Sequence, residues 1–230
     1  MAPAGMKILA LDTSTEHCSA ALWRDGSVDS REAAAGQTHS QLLLPMVDEL
    51  LRRHALALKD LDGIAFGRGP GTFTGLRIAC GVTQGLAFGS GLPVVGVSTL
   101  LALAEAVQSE RVVCCLDARM GEIYHAAYAR SGEDWRAVHE ATLCAPDAAP
   151  ELPAGTWVAC GGGFSAHSAA LSKRYAGRLS EIRPELYPHA RQIAALGVRQ
   201  FEQGNGVPAE QALPVYIRDK VALRSDERPT

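Results

Sequence analysis

The chain has few of the signatures by which enzymes of known classes are recognised. A phosphate loop is missing: Gly69-Pro70-Gly71-Thr72-Phe73-Thr74-Gly75 is followed by Leu76-Arg77, with no Lys-Ser/Thr pair to reach a phosphate and its Mg²⁺. No G-x-G-x-x-G frame fits, which excludes the dinucleotide fingerprint. The histidines (His17, His39, His54, His125, His139, His167 and His189) form no i, i+4 pair and no H-E-x-x-H, so a helix-borne zinc site is excluded. Neither Gly163-Phe164-Ser165-Ala166-His167 nor Gly96-Val97-Ser98-Thr99-Leu100 completes the G-x-S-x-G of a serine nucleophile. The six cysteines include no C-x-x-C and no disulfide-framework spacing, so reduced, mostly buried thiols of a cytoplasmic protein are expected. Excess positive charge is also missing. A net charge of −3 gives no electrostatic footprint for holding RNA or DNA unaided. Lys7 and Asp12 bracket an apolar run too short for a signal peptide, and no apolar run approaches a membrane span.

What the chain does have is an alternation of strands and helices in two related halves. Lys7–Leu11 reads as an apolar strand ending at Asp12 and the polar turn Thr13-Ser14-Thr15-Glu16. Strands at 18–24 and 27–33 follow, joined by the hairpin pair Asp25-Gly26. Thr38, with Gln41 three residues on, predicts a capping box for a helix running to about Leu56. A strand at Ile64–Phe66, the glycine-rich turn, a helix to about Phe88, a strand at 93–97 and a helix capped by Ser98 or Thr99 complete the first half. The second half repeats the opening: a strand at 112–116, Asp117, a turn at 118–121, then strands at 122–129, 135–139 and 157–159. Helices are expected from Ser165 and over 189–202, with an irregular stretch at 144–156. The vicinal Cys114-Cys115 pair lies in a strand, where the two thiols point to opposite faces. The expected architecture is an α/β fold of two lobes with mixed sheets and flanking helices, residues 1–109 and 110–230, the second lobe abbreviated and the two facing each other across a cleft.

Two sets of residues stand out as candidate sites. Asp12 and Asp117 occupy the same place in the two halves, as a metal or nucleotide pair across the cleft or as turn-capping residues; the residues alone leave both open. Thr13 and Ser14 beside Asp12, with Gly161 and Gly162, which would let a base or ribose approach the backbone, complete that candidate site. The second set lies on helices. At 100° per residue, Leu42, Leu43, Met46, Val47 and Leu50 belong to an apolar arc of roughly 200°, about twice what packing on one sheet requires. The helix after the glycine-rich turn is apolar nearly all round, with Ile78 and Val82 beside Gly81, Gly85 and Gly89 at every fourth position. The helix pair is therefore expected to receive a protein partner on Leu42, Leu43, Met46, Val47, Leu50, Ile78, Val82 and Gly85.

Five segments together resemble a known family: Ile8-Leu9-Ala10-Leu11-Asp12-Thr13-Ser14-Thr15, Thr38-His39-Ser40-Gln41-Leu42-Leu43-Leu44-Pro45, Gly69-Pro70-Gly71-Thr72-Phe73-Thr74-Gly75-Leu76-Arg77, Asp117-Ala118-Arg119-Met120-Gly121-Glu122-Ile123-Tyr124 and Pro214-Val215-Tyr216-Ile217-Arg218. They match, in order and over almost the whole chain, the TsaB (YeaZ) family of tRNA threonylcarbamoyladenosine biosynthesis, within the actin/sugar kinase/Hsp70-like (ASKHA) superfamily. The resemblance implies a non-catalytic, dimerising subunit that pairs with a TsaD-like catalytic paralogue and a TsaE-like ATPase. It implies a homodimer when the chain is alone, tRNA contacted only through the complex, and no cofactor of its own beyond weak nucleotide binding in the complex. The catalytic paralogue carries H-x-x-x-H for a metal. Gln37 and Gln41 stand at the corresponding positions here, with His39 alone between them, and neutral amides are poor transition-metal ligands. A free-standing kinase or ATPase using Asp12 and Asp117, and a peptidase, are the alternative readings.

Overall fold

The apolar run that ends at Asp12 becomes the central strand of the first of two five-stranded sheets. A computed structural model of the chain describes residues 5–218. In the first sheet β1 (Lys7–Asp12), β2 (His17–Arg24) and β3 (Ser27–Ala34) form an antiparallel meander. Asp25 and Gly26 both take left-handed backbone conformations at φ 51° and 83°, the geometry that makes Asp-Gly a hairpin signal. Helix α1 (His39–Arg53) leads to β4 (Gly63–Gly69), parallel to β1, and α2 (Phe73–Ser90) leads to β5 (Val94–Ser98), parallel to β4. Helix α3 (Thr99–Glu105), capped by the Ser98 hydroxyl accepting from Leu101 N, crosses to the second sheet.

That sheet repeats the plan. β6 (Arg111–Asp117), β7 (Ile123–Ser131) and β8 (Asp134–Cys144) form the meander, and β9 (Trp157–Cys160) and β10 (Leu179–Arg183) continue it in parallel. The strand orders β3-β2-β1-β4-β5 and β8-β7-β6-β9-β10 are equivalent. The abbreviation of the second lobe therefore lies in its helices: α4 (Gly163–Ala166) and α5 (Ser168–Arg174), between β9 and β10, stand where the first lobe has α2, and the place of α1, between β8 and β9, is taken by an irregular stretch with a single 3-10 turn at Pro146–Ala148. His167, at φ −128° and ψ 36°, divides what reads in sequence as one helix.

Several local expectations change. No side chain caps α1: the Thr38 hydroxyl donates to Ala35 O at 2.8 Å, within the turn before the helix, and Gln41 points outward, so the capping box does not form. The helix ends at Arg53 because Ala55 takes φ 52° and Leu56 N turns back to Leu51 O at 2.9 Å. β8 runs five residues past His139. β10 has no counterpart in the sequence pattern: it is an edge strand with three exposed residues, Ser180, Glu181 and Ile182, and little periodicity to read.

Each sheet is buried on both faces. Leu43, Leu50, Cys80 and Ala87 of α1 and α2 pack on Leu9, Leu11, Leu22 and Phe66. The opposite face of the first sheet, Ile8, Ala10, Ala65, Val95 and Val97, is covered by Ala190, Ile193, Ala194 and Val198 of α6 (Ala190–Glu202), from the far end of the chain. Cys114 and Cys115 do point to opposite faces, Cys114 with Leu100, Leu103 and Tyr128, Cys115 with Trp157, Phe164 and Tyr175. Every cysteine is a free thiol, and burial pushes those of Cys114 and Cys115 well above their ordinary pKa. Among the described residues no helix is long and apolar enough to cross a membrane.

Candidate functional site

The glycine-rich turn is tied to the turn after β1. Thr72 N donates to Ser14 O at 2.7 Å, and the Thr13 hydroxyl donates to Gly75 O at 2.6 Å. Only glycine fits at 75, because a Cβ there would collide with Thr13 O. The geometry of the turn therefore serves to dock two backbone segments. Asp12 lies beneath this junction, fully buried. Its Oδ1 accepts from Ser14 N at 3.1 Å and from the Ser14 hydroxyl at 2.9 Å, while Oδ2 has no partner and faces Gly67. Burial outweighs the two Ser14 hydrogen bonds and pushes the Asp12 pKa up to about 7.

Between the lobes lies a cleft of about 820 Å³, a size usual for small-molecule sites. Ser14, Thr15, Glu16 and His17 form one wall, with Thr72 and Phe73 at the start of α2; Asp117, Arg119, Met120, Tyr124 and Gly162 form the other. Asp117 is held by its own turn: Oδ1 accepts from Arg119 N at 2.9 Å, and Oδ2 pairs with the Arg119 guanidinium at 3.2 Å. His167 Nε2 stands 3.5 Å from Oδ1 and makes no hydrogen bond there. The structure thus places Ser14, Asp117 and Gly162 on the cleft and keeps Asp12, Thr13 and Gly161 off it. Asp12 and Thr13 are sealed in the core, and Gly161, at φ 100°, lies so close to Cys115 O that a Cβ would strike it. Asp12 and Asp117 do not form a pair facing one space.

The Thr72 N–H is already used by Ser14 O, and among the described residues no lysine lines the cleft; its arginines, Arg119 and Arg218, pair with Asp117 and Glu122. Among the described residues no three His, Cys, Asp or Glu side chains gather as metal ligands. Gln37 and Gln41 are exposed and lie off the cleft, while His39 is buried with Nε2 2.8 Å from Thr15 O.

The helix face needs a correction. Leu43, Met46, Val47 and Leu50 are buried in the first core, 9% exposed at most, so they are unavailable to a partner. The broad apolar arc of α1 is used twice within the chain, against the sheet and against α2. Leu42, Ile78 and Val82 are half-buried at the margin of that core. What faces outward is Gly81, Gly85 and Gly89 on α2. A Cβ at any of the three would have no neighbouring atom within 4 Å. Phe88, next to Gly89 on the same helix, is 82% exposed, and Leu44 on α1 is 47% exposed. Phe88 and Leu44 are the residues that the sequence pattern does not single out. Their exposure is invisible to a periodicity that counts every apolar position as core.

A family model described as TsaD, tRNA N6-adenosine threonylcarbamoyltransferase, matches residues 32–224. A TsaB protein of Escherichia coli, described as a tRNA threonylcarbamoyladenosine biosynthesis protein, is 39% identical over 95% of this chain and 97% of its own length. The chain belongs to the TsaB family. A TsaB protein of Haemophilus influenzae is 38% identical over 95% of the chain and 96% of its own length. The solved YeaZ structure from Pseudomonas aeruginosa superposes with a TM-score of 0.85 at 41% identity, covering 92% of this chain and 99% of that one.

Proposed function

We propose that this chain is a non-catalytic scaffold and dimerisation subunit of the tRNA N6-threonylcarbamoyladenosine machinery. It supports a TsaD-like catalytic paralogue and a TsaE-like ATPase in modifying the adenosine next to the anticodon. One observation carries the docking role: the exposed face of α2, where Gly81, Gly85 and Gly89 let a second backbone approach and Phe88 stands in solvent. Alone, the chain uses this face for a homodimer. In the complex it contacts tRNA only through its partners. Its acidic balance supports that division of labour. The cleft carries no cofactor by itself, and weak nucleotide binding there belongs to the assembled complex.

A second solved Pseudomonas aeruginosa structure at 41% identity is described as having similarity to a peptidase. Among the described residues no cluster of three His, Cys, Asp or Glu side chains offers such an activity a metal site.

The test uses Gly85→Arg. No atom of the described residues lies within 4 Å of a Cβ there and Gly85 is exposed, so the monomer is expected to keep its fold. The expected result is a monomer by sedimentation, loss of co-purification with the TsaD-like partner and loss of reconstituted threonylcarbamoyl transfer. Transfer that proceeds unchanged without this chain would remove the scaffold role altogether.

A further inference from the structure

The segment Leu213–Arg218 lies along the mouth of the cleft and touches both lobes. It starts from α2, where Ala212 O accepts from the Gln84 amide at 2.9 Å and from the Cys80 thiol at 2.6 Å. Val215 N donates to Arg68 O at 2.7 Å at the end of β4. Gly69 of the glycine-rich turn makes room for this crossing: a Cβ there would come within 2.7 Å of Val215 O. The Tyr216 hydroxyl accepts from Arg77 Nε at 2.9 Å, its ring lies 5.6 Å from Phe73, and the Arg77 guanidinium stacks 3.5 Å over the Phe73 ring. Ile217 packs on the core of the second lobe. Arg218 Nη2 then pairs with Glu122 Oε2 at 2.7 Å and donates to Ala118 O at 3.0 Å.

The far anchor is the 118–122 turn, the wall of the cleft opposite α2. It holds two consecutive non-glycine residues in left-handed conformations, Arg119 at φ 62° and Met120 at φ 55°. Such residues persist only where surrounding contacts over-determine them. Among the described residues, the polar contacts that this turn makes outside itself and Asp117 all end on Arg218. Its hold on the first lobe therefore runs through one short stretch of chain.

We propose that Leu213–Arg218 is a strap that couples the N-terminal end of α2 to the 118–122 turn, so that the state of the helix sets the closure of the interlobe cleft. The latch is Arg77 clamped between Phe73 and Tyr216. Arg77 and Phe73 are exposed residues of α2, on the same side of the helix as Gly81 and Gly85. A protein seated on that face grips the latch and, through the strap, the wall of the cleft. The coupling is a property of the chain alone, so its test does not depend on the scaffold role.

The test places the perturbation and the readout at opposite ends. Arg77→Ala leaves every contact of the 118–122 turn in place. With the strap acting as coupler, amide exchange at Ala118 and Glu122, whose N–H groups are bonded to Glu122 O and Arg119 O, rises about tenfold or more in the full chain. Leu9–Leu11 in β1 stay protected as the fold control. Tyr216→Ala gives the same response and Tyr216→Phe, which keeps the ring on Phe73, a smaller one. Arg218→Ala loosens the turn directly. If Arg218→Ala accelerates exchange there while Arg77→Ala and Tyr216→Ala leave it unchanged, Arg218 is a local contact and the strap is no coupler.

Discussion

Asp12 shows how the meaning of a side chain depends on where its atoms go. At the end of a central strand, in the first of two matching strand–Asp–turn units, it reads as a site residue. In the fold it is a buried acid with one oxygen bound to Ser14 and the other orphaned. Its pKa of about 7 lies above the ordinary carboxylate value near 4, so the folded chain holds a proton that the unfolded chain has already released. Stability from this group is therefore complete below about pH 4, is lost as pH rises toward 7, and is flat above. Asp12→Asn removes that slope. The variant is expected to match the parent near pH 4 and to exceed it at pH 8 by up to roughly 4 kcal/mol, the upper bound that a shift of about three units allows. Denaturant titrations at pH 4, 6 and 8 measure it, and parallel slopes for the two proteins would refute it. His125 acts in the opposite direction. Its ring is buried with Nε2 2.9 Å from the Tyr175 hydroxyl, and burial holds its pKa down to about 4, so this group costs stability as pH falls through 6.5. Both proteins carry it, and it leaves the comparison between them intact.

At the scale of elements, α2 carries glycine at positions where its own monomer gains nothing from it. Glycine in a helix interior costs roughly 0.5–1 kcal/mol against alanine, and at 81 and 85 a Cβ would meet open space. Gly81→Ala and Gly85→Ala are expected to stabilise the monomer by about that amount each while weakening self-association. Thermal melts in the dilute monomer and sedimentation across a concentration series read the two effects separately. A gain in both would mean that another backbone does not approach this stripe. Much of this level is legible in the chain. The glycine-rich turn, the Asp-Gly hairpin and both meanders follow from local chemistry, and so do the elements they join. What is not legible depends on partners distant in sequence. Leu43, Met46, Val47 and Leu50 look like surplus apolar area because their share of the sheet and of α2 is fixed only by packing. The capping box fails because the Thr38 hydroxyl is bonded to Ala35 O in the preceding turn and takes no helix amide. β10 is held by its neighbour β9 rather than by its own pattern. Asp117 reaches the cleft and Asp12 does not for the same reason: a strand end is readable, but whether it opens on solvent is not.

Across the whole molecule, the repeat of one sheet plan in two halves suggests a division near residue 110, yet the packing crosses it. The inner face of the first sheet is closed by α6, whose first residue is Ala190. Glu105 at the end of α3 binds the same elements together: Oε1 pairs with Arg199 of α6 at 2.8 Å, and Oε2 takes Trp135 Nε1 at 2.5 Å and Arg130 at 3.3 Å. The fragment 1–109 would leave Ile8, Val95 and Val97 uncovered along with Ala10 and Ala65. Each of the larger side chains contributes about 1.5–3 kcal/mol when buried, and together they approach the roughly 5–15 kcal/mol that keeps an ordinary domain folded. The fragment is therefore expected to show no cooperative thermal transition. The same residues joined by a flexible linker to 186–218, which restores α6 and its Arg199, are expected to melt cooperatively. A cooperative melt of 1–109 alone would mean that the first sheet stands without α6, and that the two halves are independent units joined by their strap.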